Sequence, residues 1–243
     1  MGTRHARSYK REQTHRAAAT ARHSVIEQAY YEAMSKHSVV SVPHRNPNWG
    51  DSRYPGNCDG TLVKDLVLRY RASSIADPME GSGTTRDVVA WLNNELNLGV
   101  TYWGGDIQRG FNLLRQAPPG RYDLVWVHPP YWDIVRYTDH QADLSTSEDY
   151  TLYLTRLRKC LRRCYNAVAD GGRLAVLVGD VRKRGRYYPI ARDVMNLAGE
   201  LGELVSVVIK TQYNVRSNTK RYGTLVHPRI MHETCVIFYR PTQ

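Results

Sequence analysis

The chain has little cysteine, no long apolar run and, in three of its segments, almost no acid. Each shortage excludes something. Its four cysteines in 243 residues, Cys58, Cys160, Cys164 and Cys235, form no Cys-x-x-Cys pair and are too sparse for a disulfide framework. A reducing compartment is therefore expected and a zinc site is not. No stretch approaches the roughly 18 to 20 apolar residues of a spanning helix. The Arg/His-rich N-terminus also lacks the apolar core of a secretory signal. The expectation is a soluble cytoplasmic protein that uses neither membrane nor metal. No internal repeat is visible. With 42% hydrophobic and 23% charged residues the chain is otherwise ordinary, and its length suits one large domain with an appendage rather than two full domains.

The shortage of acid is local. Lys and Arg number 34 against 23 Asp and Glu, a net charge of +11. Residues 1–23 hold six basic residues and one acid, 182–192 hold five and none, and 214–229 hold four and none, while the other 193 residues sum to −3. Neutralising a polyanion takes clustered cations, so this distribution suits a nucleic-acid partner, DNA first and RNA as the alternative. Arg outnumbers Lys 27 to 7, and a GC-rich genome is the competing explanation for part of the excess.

Residues 1–35 read as a basic N-terminal extension, a polar arm followed by a short helix capped by Ser24, and residues 36–243 as the main domain. Pro43 to Gly60 holds three Pro, three Gly and three Asn and reads as a long loop of the kind that is usually functional. Thr61 can cap a helix whose Leu62, Val63, Leu66 and Val67 recur at helical spacing. Strands then alternate with helices. Strands are expected at 73–77, 100–103, 123–127 and 173–178, with helices from the Gly-Ser-Gly turn to Asn97, over 148–168 and over 189–201. Two closing strands, 204–213 and 234–240, flank a basic loop. This alternation predicts an α/β fold with a mostly parallel sheet, helices on both faces and a C-terminal antiparallel strand at or near the edge.

Two segments carry candidate chemistry. Asp77-Pro78-Met79-Glu80-Gly81-Ser82-Gly83-Thr84-Thr85 lies where a strand hands over to a helix. Its glycines permit a tight turn and close backbone approach, and the helix N-terminus offers unpaired N–H groups. It has no Walker lysine and no third glycine at dinucleotide spacing, which argues against nucleoside triphosphate and NAD. Asp106, after the next strand, is placed to accept from ribose hydroxyls. His128-Pro129-Pro130-Tyr131-Trp132 follows the buried strand DLVWV. The prolines forbid helix and leave the Pro129 carbonyl without local donors, free for a ligand's amino group. Tyr131 and Trp132 beside it suit a flat base.

These paired motifs, in this order, resemble the S-adenosylmethionine-dependent amino-methyltransferases that act on DNA, whose signatures are DPFxGSGTT-like and [DNS]-P-P-[YFW]. Tyr54-Pro55-Gly56-Asn57-Cys58 resembles the cofactor-binding segment that precedes the first motif, and the likeness covers roughly residues 45–240. It implies a Rossmann-like methyltransferase fold and S-adenosylmethionine as cofactor. The methionine part of the cofactor would lie against Asp77, Pro78, Met79, Gly81, Ser82, Gly83 and Thr84, with help from Asn57 and Cys58. The ribose would meet Asp106 and the adenine Ile107. A flipped adenine or cytosine would be held by Tyr131, with its amino group donating to the Pro129 carbonyl and to residue 128. His128 departs from the family's Asp, Asn or Ser; only its neutral form accepts, so activity is expected to fall as pH drops toward the His pKa.

Only about 115 residues follow the second motif, so no separate target-recognition domain is expected. Specificity would come from loops, the basic arm, a homodimer partner or a specificity subunit, as in restriction-modification, or be low. Arg184 and Arg186 on one basic loop, and Arg216, Lys220, Arg221 and Tyr222 on the other, are candidate substrate contacts. The competing functions are an RNA or protein-amide methyltransferase and an inactive nucleic-acid-binding module on the same fold.

Overall fold

The computed structural model describes residues 35–213 and 227–242, together with Gln28. Apart from Gln28, the expected N-terminal arm and helix lie outside the described residues, as do Arg216, Lys220, Arg221 and Tyr222. Among the described residues no helix is long and apolar enough to cross a membrane.

A seven-stranded sheet organises the chain. In sequence order its strands are β1 (Val39–Val40), β2 (Ser74–Asp77), β3 (Thr101–Gly104), β4 (Tyr122–Val127), β5 (Val168–Val178), β8 (Glu203–Thr211) and β9 (His232–Tyr239). A separate hairpin is formed by β6 (Val181–Lys183) and β7 (Arg186–Tyr188). The spatial order is β1-β8-β9-β5-β4-β2-β3, parallel throughout except for β9, which runs antiparallel to both β5 and β8. This is the mostly parallel α/β sheet with an antiparallel C-terminal strand that the sequence predicts.

The antiparallel strand does not stand at the edge. It lies inside the sheet, with all six residues from Glu233 to Phe238 buried. Thr234 to Phe238 has no polar alternation, which is the pattern of a strand covered on both faces. The edge is taken by the two-residue β1, which the sequence did not announce.

Helices α1 (Thr61–Arg69), α2 (Thr84–Leu96), α3 (Tyr150–Asn166) and α4 (Ile190–Met195), with two short 3-10 turns, Ile107–Arg109 and Leu144–Thr146, complete the described elements. In α3, Asp149 Oδ1 accepts from the Leu152 N–H at 2.7 Å and caps the first turn. Tyr153, Leu157, Cys160, Leu161 and Cys164 recur at helical spacing and are buried against Val125, Val127, Val176 and Phe238. Cys160 and Cys164 are thus packing residues, and Arg158, Lys159 and Arg162 lie on the exposed side.

At three of the boundaries that differ from expectation the physical reason is visible. Thr61 is the first residue of α1 rather than its cap. The cap position is Gly60, at φ 83° with Trp49 and Val88 against it, and Asp59 Oδ1 accepts from the Thr61 N–H at 2.9 Å. β5 begins five residues before Arg173, because Val168 already pairs with Tyr122. α4 stops at Met195; the chain then turns through Gly199 and Gly202, at φ 90° and 85°, and buries Leu201.

Candidate active site

The site is built at the carboxyl ends of β2, β3 and β4. Asp77, the last residue of β2, is buried. Its Oδ1 accepts from the Met79 N–H at 3.1 Å and its Oδ2 from the Thr85 hydroxyl at 2.6 Å, which clamps the strand end to the first turn of α2. Burial pushes its pKa up to about 7, against the pull of those two hydrogen bonds. Asp106 ties in the end of β3: its Oδ2 accepts from the Gly81 N–H at 3.0 Å and its Oδ1 from the Gln108 N–H at 2.8 Å.

Gly81 sits at φ 51°, and a Cβ there would stand 3.0 Å from the Tyr54 ring. Glu80, which sequence reasoning passed over, is a buried carboxylate paired with Arg86 at 3.2 Å and with Arg109. The long loop closes over this turn. Asn57 accepts from the Thr84 hydroxyl and donates to the Asp51 carbonyl at 2.8 Å. At Gly50, φ 66°, a Cβ would collide with Thr84 Oγ1 at 2.1 Å.

After β4 the chain enters His128-Pro129-Pro130-Tyr131. The Tyr153 hydroxyl donates to the Pro130 carbonyl at 2.8 Å, which anchors the segment to α3. No described residue donates to the Pro129 carbonyl. The Tyr131 hydroxyl donates to Glu233 Oε1 at 2.7 Å and lies 2.7 Å from His128 Nε2. Its ring packs on the end of β5, where a Cβ on Gly179 would stand 2.6 Å from Tyr131 Cε2.

The network continues through Lys210, whose ammonium donates to Glu233 Oε2 at 3.0 Å and lies 3.1 Å from Asp59 Oδ2. Burial opposes ionisation of Glu233, yet Lys210 foremost, with His128 and the Tyr131 hydroxyl, holds its carboxyl below the usual range. Burial likewise opposes the charge on Lys210 and is outweighed by Cys58, Glu233 and Asp59, so its pKa is raised. Burial lowers the pKa of His128, with Glu233 pulling the other way, so the ring is neutral near pH 7. The acid-side fall expected for a histidine at this position therefore begins below the ordinary His range.

Sequence reasoning missed Asp59, Lys210 and Glu233. A signal was present, since opposite charges close the apolar strand LVSVVIK and open the apolar strand HETCVIF.

Both motifs open into one cavity of about 1440 Å³. Asn57, Cys58, Asp77, Pro78, Met79, Gly81, Ser82, Thr84, Asp106 and Ile107 line it on one side and His128, Pro129, Pro130 and Tyr131 on the other. Gly83 stands outside the lining and serves instead as the left-handed residue, φ 88°, before α2. The Cys58 thiol is buried and pushed up to about 12, which leaves it unreactive.

Trp132, a candidate substrate contact, does not line the cavity. At 6% exposure and φ 52° it is packed between Tyr150 and Tyr188, and its indole N–H donates to the Ser147 carbonyl at 3.0 Å. On the basic hairpin it is Arg182 that reaches the cavity. Arg184 occupies the exposed turn at φ 51°, and Arg186 lies over the Tyr188 ring at 5.3 Å.

No protein-family model and no curated protein matches the chain. Solved structures do. A protein of Thermus thermophilus, provisionally named a DNA modification methylase and solved with S-adenosyl-L-methionine, is 24% identical over 54% of this chain and 52% of its own, with a TM-score of 0.38. TrmN from Thermus thermophilus is 15% identical over 74% and 48%, with a TM-score of 0.41. An S-adenosylmethionine-dependent methyltransferase from Clostridium acetobutylicum is 8% identical over 76% and 91%, with a TM-score of 0.42. The chain spans about half the length of the first two. These likenesses concern the fold, and at such TM-scores they carry no argument about chemistry.

Proposed function

We propose that the chain transfers a methyl group from S-adenosylmethionine to an exocyclic amino nitrogen of a base in DNA, N6 of adenine or N4 of cytosine. One observation carries the reading. The undonated carbonyl of Pro129 and the neutral ring of His128 border the same cavity as the Gly-rich turn, with room for both a cofactor and a base. The donor set fits the cofactor: backbone N–H groups at the start of α2 suit its carboxylate, Asp106 suits its ribose hydroxyls, and a Cβ at Gly81 would close the cradle against Tyr54.

When bound, S-adenosylmethionine supplies a sulfonium methyl whose C–S bond breaks to a neutral thioether as the new N–C bond forms. The chain's own residues do the rest. The Pro129 carbonyl and His128 accept the two N–H groups of the amine, orienting the nitrogen lone pair and strengthening its nucleophilicity. The methylated nitrogen then sheds one proton to water. The base must leave its stack to reach this depth, at a cost of about a few kcal/mol. The cation-rich segments supply the attraction to phosphate that offsets it.

The test is nucleoside mass spectrometry of DNA and RNA from a methylation-deficient bacterium expressing the chain, with Pro129→Ala and His128→Ala as controls. N6-methyladenine or N4-methylcytosine in DNA, absent from both controls, is the expected result. A methylated nucleoside in RNA alone would move the substrate to RNA, and no methylation of either would overturn the reading.

A further inference from the structure

A buried chain of charges, Asp59, Lys210 and Glu233, ends on the side chains of the His-Pro-Pro-Tyr segment, and methyl transfer as proposed above makes no use of it. Proton counting shows what it does. An ammonium has only donors and an ionised carboxylate only acceptors, so Lys210 fills Glu233 Oε2 and the single phenolic proton of Tyr131 goes to Oε1. With that proton committed, the Tyr131 oxygen can only accept. The group facing it at 2.7 Å is His128 Nε2, which must therefore carry the N–H. A neutral imidazole has one N–H, so Nδ1 is left with its lone pair. No described residue hydrogen-bonds to Nδ1, and the ring borders the cavity beside Pro129.

We propose that Glu233, paired with Lys210, which Asp59 meets in turn, is a positioning residue that acts through Tyr131 to fix His128 as its Nε2–H tautomer, making Nδ1 the acceptor for the substrate's amino group. The assignment of that amino group rests on the methyl-transfer reading; the tautomer does not. A nitrogen lone pair thereby takes the place of the oxygen that Asp, Asn or Ser would offer. The opposite tautomer would aim a donor at a donor.

The experiment is two-bond 1H–15N correlation spectroscopy on the full chain labelled with 15N-histidine, with the His128 signals assigned by their loss in His128→Asn. The wild-type chain is expected to show a pyridine-type Nδ1 and a pyrrole-type Nε2. Glu233→Gln should reverse them. Lys210 offers only donors, so the new amide oxygen turns to it and the amide N–H2 turns to Tyr131, whose hydroxyl must then donate to Nε2. Tyr131→Phe, which keeps the ring and removes the relay, should give a mixture of the two forms.

In parallel, Glu233→Gln should lower methyl transfer about a hundredfold in the His128 background and leave it within about twofold in the His128→Asn background, because an asparagine carbonyl needs no relay. A pyrrole-type Nδ1 in the wild-type chain, an unchanged tautomer in Glu233→Gln, or an equal loss in both backgrounds would overturn the proposal. The expected spectra without methylation of any nucleic acid would leave the tautomer standing and remove its assigned substrate.

Discussion

Two single groups set the pH behaviour. His128 has a folded pKa below its ordinary 6.5 because it is buried, with Glu233, Lys210, Asp59 and the Tyr131 hydroxyl around it. Its neutral form is therefore kept as pH falls through 6.5, so in an Asp77→Asn background, which removes the other group titrating in this range, methyl transfer measured from pH 8 downward should stay flat past that point. The stability sign follows from the same shift: the unfolded chain protonates first, so stability is lost as pH drops from 6.5 toward the folded value. Asp77 behaves oppositely. With a folded pKa of about 7 against 3.8 unfolded, its contribution is fully present below 3.8 and is lost as pH rises toward 7. Thermal melts at pH 5 and pH 8 should show a loss on the order of a few kcal/mol in the wild-type chain that Asp77→Asn does not show. Both residues were legible as site residues, because motif spacing reveals which atoms face a ligand. Their protonation was not, because it depends on groups as remote in sequence as Glu233.

Elements hold the site through single contacts at their ends. α3 reaches it by the Tyr153 hydroxyl on the Pro130 carbonyl. Tyr153→Phe keeps the packing and strands that carbonyl, so denaturant melts should show a loss of about 1–3 kcal/mol, with methyl transfer reduced alongside. The end of β5 meets the site through what the next residue lacks, a Cβ at Gly179. Gly179→Ala should displace the Tyr131 ring and cost activity about tenfold or more while cofactor binding, followed by calorimetry, stays near wild type, since the cofactor cradle proposed above is at the β2 and β3 ends. The sequence made β4, β5 and α3 legible through apolar runs and helical spacing. It did not reveal β1, two residues long, or the interior position of β9, because strand order depends on non-local pairing that leaves no periodic mark.

For the whole molecule the governing quantity is the separation of charge. The basic segments are distinct in sequence from a remainder that is slightly acidic, so nucleic-acid affinity should depend steeply on salt. Deleting residues 2–23 removes six cations, and the slope of log affinity against log salt should fall by up to about five. Fluorescence anisotropy with a duplex between 50 and 200 mM salt measures it, and an unchanged slope would show that the arm meets no phosphate. Fold class was readable from the alternation of strands with helices, and two short motifs pointed to the segments that line the cavity. The relay behind them was not, because its members lie at 59, 131, 210 and 233 and meet only when β8 and β9 pair at Lys210 and Glu233. That pairing has a consequence for descent. Burying a lysine and a glutamate is costly where nothing needs them, so relatives carrying an oxygen-bearing residue at position 128 would be released from both, and positions 128, 210 and 233 should change together or not at all.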